Sequence, residues 1–434
     1  MSAPPGIISD LRAYLDSKAG LTALVLLHSA VACLSLIEVA TFQLSIDFNP
    51  RLLWIAVIVA IGFSVVSLLF TSARFCFGYF VGFYCYSMIL GFLWITVFSE
   101  YSYPHLLAGL SAATSFLLFL MPLLLIRAPL PPLVSLTNDR FEQLLTFTLA
   151  ISVAVVAVAA TYNFRLVSIA NIYDYRDTLD FPGPLRYLIG WISSTVLPFA
   201  FACYWLLGYR WRAVLILLLL LLFYPITLTK FAFFTPAWLI TLVVLSRLLE
   251  TRAAAIVSIF GPMLIGLLVI WLTEASLRSI PGRYFDIVNI RMMATASSAL
   301  DIYNHFFASH PLTWFCQISV LKPLMHCPYN EPLAVVMQNT YDFGNLNASL
   351  FATEGIASVG PWLAPLTALA AGLVLALGNR ASAGLPPRFV LLSAGVLPHV
   401  LLNVPLSVAM LTHGTAILFL LWYVIPRGMF ERKP

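Results

Sequence analysis

Residues 253–273 read AAAIVSIFGPMLIGLLVIWLT, twenty-one positions without a charged side chain, and residues 274–293 read EASLRSIPGRYFDIVNIRMM. The first stretch is long and apolar enough to cross a hydrocarbon core of about 30 Å as a helix. The abrupt change after Thr273 ends that span and opens the one long polar excursion of the chain. It continues to Asn347 and holds arginines, acids, histidines, asparagines and two cysteines. So much chemistry in one connection points to work done at one face of a bilayer.

The rest of the chain agrees with that reading. Of 434 residues 61% are hydrophobic and only 9% charged, and the mean hydropathy is +0.95. Such a composition excludes a soluble fold of this size. The apolar runs lack the alternation of a barrel strand, so the spans are helices that satisfy their own backbone. The fold class expected is an all-α polytopic bundle forming a single membrane domain over 1–434. About twelve spans are expected, at 21–45, 51–71, 75–98, 104–126, 143–162, 185–207, 212–229, 231–249, 253–273, 348–377, 389–404 and 409–425. Gly355 and Gly360-Pro361 interrupt the tenth, which predicts either a kink or a start outside the bilayer. Residues 1–20 read as an interfacial amphipathic helix, with Ile7, Ile8, Leu11, Tyr14 and Leu15 on one face. No cleaved signal peptide is expected, because the first apolar run is long enough to span.

Basic residues set the orientation. With the N-terminus inside, the inner segments hold Arg12, Lys18, Arg74, Arg127, Arg140, Arg210, Arg212, Arg247, Arg252, Arg380, Arg388, Arg427, Arg432 and Lys433. The short outer connections hold only Arg51 and Lys230. Both termini are therefore expected in the cytoplasm, with outer loops at 163–184 and 274–347 and an extracytoplasmic active face. Cys33, Cys76, Cys85 and Cys203 fall in spans and read as packing residues. Cys316 and Cys327 share the outer loop, an oxidising space where a disulfide between them is compatible. Neither has metal-site spacing, and no P-loop, dinucleotide fingerprint, zinc helix or nucleophile elbow is present. No cofactor, metal or nucleic-acid partner is expected.

Several polar residues have two readings. Arg176 is either a headgroup-level ion pair with Asp174 or Asp177, or an anion ligand. Lys230 stands between two apolar runs with almost no loop, so it either snorkels outward or meets an anion. Arg278, Arg283 and Arg291 suit diphosphate oxygens, but the acids of the loop nearly balance its bases, so a network of ion pairs is the alternative. If residues 284–309 are helical, Asp301 and His305 stand four apart on one face, as an oriented imidazole base or an ordinary surface pair. Glu354, at the rim of the tenth span, is either a base or the partner of a loop arginine.

The order of these residues resembles a known family. Tyr173-x-x-Arg176 and Tyr187-x-x-x-Trp191 precede a span with Pro198, and Thr229-Lys230-Phe231 follows at the next hairpin. Arg291, Tyr303-x-x-x-Phe307, His310-Pro311, Tyr329, Tyr341, Gly344-Asn345-x-Asn347-Ala348 and Glu354-Gly355-x-Ala357-x-x-Gly360 then appear in sequence. This layout, over Tyr173 to Gly360, is similar to the Wzy-type oligosaccharide repeat-unit polymerases. Phe231 stands where they carry a polar residue, and Glu354 where Asp is frequent. The resemblance implies a metal-independent GT-C-type glycosyltransferase of the bacterial inner membrane, active on its periplasmic face. It would transfer a glycan from undecaprenyl diphosphate to the outermost sugar of another lipid-linked unit in surface polysaccharide synthesis, O-antigen or exopolysaccharide. On that reading Arg176, Lys230, Arg278, Arg283 and Arg291 bind diphosphate, Asn345 and Asn347 bind sugar, and Glu354 or the Asp301–His305 pair is the base. The expected partners are undecaprenyl-diphosphate-linked oligosaccharides, membrane lipids, a chain-length regulator and a repeat-unit flippase. An O-antigen-ligase-like transferase and a lipid-linked oligosaccharide transporter are the alternatives.

Overall fold

The computed structural model describes residues 13–430, apart from 44, 132, 170, 173–174, 176–178, 274–275, 278 and 343–347. Ten of its helices are long and apolar enough to cross a membrane, so the chain is a multi-pass membrane protein. In chain order the helices are α1 Lys18–Ala40, α2 Leu53–Ser72, α3 Phe77–Phe98, α4 His105–Leu125, α5 Asn138–Tyr162, α6 Gly183–Trp191, α7 Leu197–Leu206, α8 Arg210–Thr227, α9 Lys230–Leu248 and α10 Thr251–Thr273. They continue with α11 Ile280–Phe285, α12 Thr295–Phe307, α13 Leu333–Tyr341, α14 Ser358–Ser382, α15 Pro387–Ser393, α16 Leu397–Asn403, α17 Leu406–Leu411 and α18 Thr415–Val424. Turns of π-helix at Ile192–Val196 and Asp286–Ala294 join α6 to α7 and α11 to α12, and a third at Phe351–Ala357 leads into α14. The kink expected in the tenth span is at Gly360, whose φ of 75° a side chain would resist. The interfacial helix expected over 1–20 lies mostly outside the described residues. Ser17 caps the start of α1 by accepting from Gly20 N–H at 3.0 Å.

The chain divides into two compact units. The first comprises Met1–Ile126, Leu248–Ala376 and Leu401–Ser407. At its centre runs α3, buried on every side, and a helix hydrophobic all round must be so. Its glycines permit close approach: a Cβ at Gly78 would meet Leu123 and one at Gly82 would meet Leu120, both on α4. At Gly91 a Cβ would collide with Ser297 Oγ of α12. Gly91→Val is therefore expected to destabilise the fold by about 1–3 kcal/mol, read as the unfolding midpoint in detergent. Adding Ser297→Ala should return part of the loss, since the two sites share one contact.

Much of the first half of the expected outer loop is helical and packed into the first unit. From Ile280 to Phe307 the chain is one run of helical turns sunk among α1, α3 and α10. Several of its polar side chains find partners on other segments of the first unit. Asn289 Nδ2 donates to Ser35 Oγ at 2.7 Å and to the Met263 carbonyl at 2.9 Å. Ser297 Oγ donates to the Met88 carbonyl at 2.8 Å. Gln43 Nε2 donates to Ser298 Oγ at 2.8 Å. Buried polar groups with such partners avoid the desolvation cost that an unpaired group would carry.

The second unit comprises Arg127–Arg247, Leu377–Val400 and Val408–Pro434. Within it Asn163 Nδ2 donates to the Pro225 and Ile226 carbonyls at 3.1 and 2.8 Å, tying the segment after α5 to the end of α8. The stretches 389–404 and 409–425, expected as continuous spans, are each broken into two short helices. Gly395 with Pro398 and Pro405 with left-handed Gly414 explain the breaks. Carbonyls at the interruptions find side-chain donors. Trp238 Nε1 donates to Gly395 O at 2.8 Å, Trp191 Nε1 to Leu411 O at 2.5 Å and Thr195 Oγ1 to His413 O at 2.7 Å. Irregular backbone inside apolar surroundings is tolerated on that condition.

Candidate functional site

A group of titratable and aromatic side chains in the first unit lies where α3 ends, α4 begins and α12 closes. Asp301, on α12 and 1% exposed, accepts from Ser99 Oγ at 2.8 Å and from the Tyr103 hydroxyl. Burial pushes its acid up to about 6, against the pull of those hydrogen bonds and of His105. Burial and the neighbouring carboxylate push the Tyr103 hydroxyl upward in turn. Tyr103 stacks on His105 at 4.2 Å between ring centroids. The two ring nitrogens of His105 lie against carbonyl oxygens, Nδ1 at 2.6 Å from Thr96 O and Nε2 at 2.8 Å from Tyr101 O.

One turn along α12, His305 has different neighbours. Its Nδ1 is 2.6 Å from the Tyr341 hydroxyl at the end of α13, and its ring stacks on Tyr101 at 5.0 Å and 25°. Tyr341 meets both rings edge-on. Desolvation, with His310 nearby, lowers the His305 pKa, which favours the neutral ring. Burial pushes the Tyr101 hydroxyl up to about 12 and raises that of Tyr341 as well. His305 and Asp301 share a helix face but not an ion pair. Asp301 turns to Ser99 and Tyr103, and His305 to Tyr341.

Glu354, half-buried on the π-turn before α14, has three donors. Thr353 Oγ1 donates to one oxygen at 2.8 Å, and Ser407 N–H and Oγ donate to the other at 3.0 Å each. None of these partners is an arginine. The adjacent Tyr303 hydroxyl is fully buried, and no hydrogen-bond partner is present for it among the described residues. Burial, then the charge of Glu354, raises its pKa.

The expected cations divide. Arg283 and Arg291 are exposed on the Ile280–Phe307 run of the first unit. Lys230 belongs to the second unit, at the first position of α9, where Thr229 Oγ1 accepts from Ala232 N–H at 3.3 Å. Arg176, Arg278, Asn345 and Asn347 lie outside the described residues. Cys316 and Cys327 form a disulfide with Cα atoms 5.4 Å apart. Among the described residues no group of three or more His, Cys, Asp or Glu side chains is placed to hold a metal ion.

The sequence reading assigns no role to Ser99, Tyr101, Tyr103 or His105, which surround Asp301 and His305. A signal for them exists: residues 100–105 read EYSYPH, a dense run of aromatic and titratable groups between two spans. No protein-family model, curated protein or solved structure matches the chain.

Proposed function

We propose that the chain is an integral-membrane glycosyltransferase that polymerises lipid-linked oligosaccharide repeat units in a bacterial inner membrane. Both termini lie in the cytoplasm and the Asp301–His305 end of the first unit faces the periplasm, in keeping with the distribution of basic residues. One observation carries the reading: a half-exposed His305 held through Nδ1 by Tyr341, with Nε2 unpartnered among the described residues. With Nδ1–H donated to Tyr341, Nε2 is the lone-pair nitrogen, and the lowered pKa keeps it free at neutral pH.

In the reaction His305 Nε2 takes the proton of the acceptor hydroxyl as its oxygen attacks the anomeric carbon of the donor. The bond from that carbon to the diphosphate oxygen breaks, and its electron pair leaves on the lipid diphosphate. Asp301 anchors α12 to the connection before α4, and Glu354 ties the π-turn to Ser407. Both act by positioning.

The test is chain growth by the purified protein in liposomes supplied with a lipid-linked repeat unit. Wild-type protein should build a ladder of products, and His305→Ala should slow it by about 10²-fold or more. A second reading, a lipid-linked oligosaccharide transporter, is favoured by the two broken helical stretches, since interrupted helices commonly build transport sites. Flipping of labelled substrate without chain growth in the same liposomes would select it.

A further inference from the structure

The Tyr101, His305 and Tyr341 side chains come from three separate segments, the connection before α4, the last turn of α12 and the end of α13, and meet in one group. Tyr101 and His305 are stacked, Tyr341 stands edge-on to both, and all three are half exposed, so the group has an open side. Its polar rim has unused capacity. Tyr341 Oη is committed to His305 Nδ1, whereas Tyr101 Oη and His305 Nε2 have no hydrogen-bond partner among the described residues. Beneath them Asp301 is buried and fully engaged by Ser99 and Tyr103, which fixes α12 against the 99–105 connection.

From this geometry we infer that Tyr101, His305 and Tyr341 form a binding shelf for a neutral pyranoside, which Tyr101 holds by its ring and His305 and Tyr101 by their rim atoms. A pyranose offers an apolar C–H face to an aromatic ring and hydroxyls to the groups around it, and this shelf supplies both. An anion is disfavoured because the nearest buried charge is the Asp301 carboxylate. The inference deepens the proposed function: on that reading the shelf is the acceptor subsite, and the hydroxyl donated to His305 Nε2 is the one that attacks.

The test uses the full chain in nanodiscs and saturation-transfer NMR, with methyl β-D-glucopyranoside, methyl β-D-galactopyranoside and tetramethylammonium as probes. At least one glycoside should receive saturation at its ring C–H protons, and Tyr101→Leu should weaken its binding about tenfold. Tyr341→Phe keeps the ring and removes only the hydroxyl on His305, so it serves if Tyr101→Leu does not fold. It should weaken binding about threefold. Three results would overturn the shelf: no transfer to either glycoside, transfer unchanged in the folded variants, or transfer to tetramethylammonium alone, which marks an aromatic cation cage. Glycoside binding by a protein that does not extend chains would keep the shelf and remove the polymerase. Chain growth without glycoside binding at these residues would do the reverse.

Discussion

Replacing His305 with alanine is expected to lower the rate of chain growth by about 10²–10⁴-fold, the usual contribution of a positioned proton acceptor. The expectation rests on three features of the side chain. Nδ1 is held by the Tyr341 hydroxyl at 2.6 Å, the ring is stacked on Tyr101, and desolvation lowers its pKa. The sign of the pH dependence follows. The neutral ring is the active form, so the rate should fall as pH drops through the pKa of His305, and this acid limb should lie below the ordinary value of 6.5. Tyr341→Phe should keep part of the activity and shift the acid limb, because it removes the orienting partner and leaves the acceptor nitrogen. A variant His305→Ala that builds full-length products at the wild-type rate would remove this histidine from the reaction.

The second large effect is on stability, at Asp301. Its pKa is raised in the folded state, so the folded protein holds a proton on this group where the unfolded chain has already lost it. The contribution of the group to stability must then fall as pH rises from about 4 to about 6 and stay low above that range. From the ordinary aspartate value of 3.8 to about 6, the loss amounts to about 3 kcal/mol at most. Asn in this place mimics the protonated carboxyl and does not titrate. Asp301→Asn should therefore remove this pH-dependent part, with the largest difference from wild type above pH 6 and the smallest near pH 4. Unfolding midpoints of both proteins across pH 4–8 in one detergent measure it, and parallel curves would contradict the burial argument. Chain growth near neutral pH should change far less than in His305→Ala, because Asp301 acts by positioning.

The sequence makes some of this legible and hides the rest for identifiable reasons. Spans such as 253–273 announce themselves because a long uncharged run has one stable fate in lipid. The run Ile280–Phe307 does not. Asn289, Ser297, Ser298 and Asp301 lie within the stretch expected as an outer loop, yet each has a polar partner on another segment of the first unit. Periodicity reports that a residue is polar, not whether water or a carbonyl will satisfy it. The breaks at Gly395 and Gly414 are hidden in the same way. Apolar composition predicts continuous spans, while the donors that make interruption tolerable, Trp238, Trp191 and Thr195, lie some 150 to 220 positions away.

Glu354 shows the limit from another side. Its place at the rim of a span marks it as consequential, but its partners are Thr353 and Ser407, the latter 53 positions on. An arginine within the loop is the partner the sequence offers, and the structure supplies hydroxyls and a backbone N–H. The residues 100–105, by contrast, carry a readable cluster whose meaning appears only when α12 comes alongside.

By itself the sequence determined that this is a helical membrane protein and where ten of its long helices run, because the cost of exposing backbone and charge to lipid depends on local composition alone. Only the tertiary structure decided that the polar excursion is half buried, that Asp301 and His305 have separate partners, and that Tyr101, His305 and Tyr341 meet. Those outcomes depend on which distant donors and acceptors come within hydrogen-bonding distance, and that is a property of the packed chain.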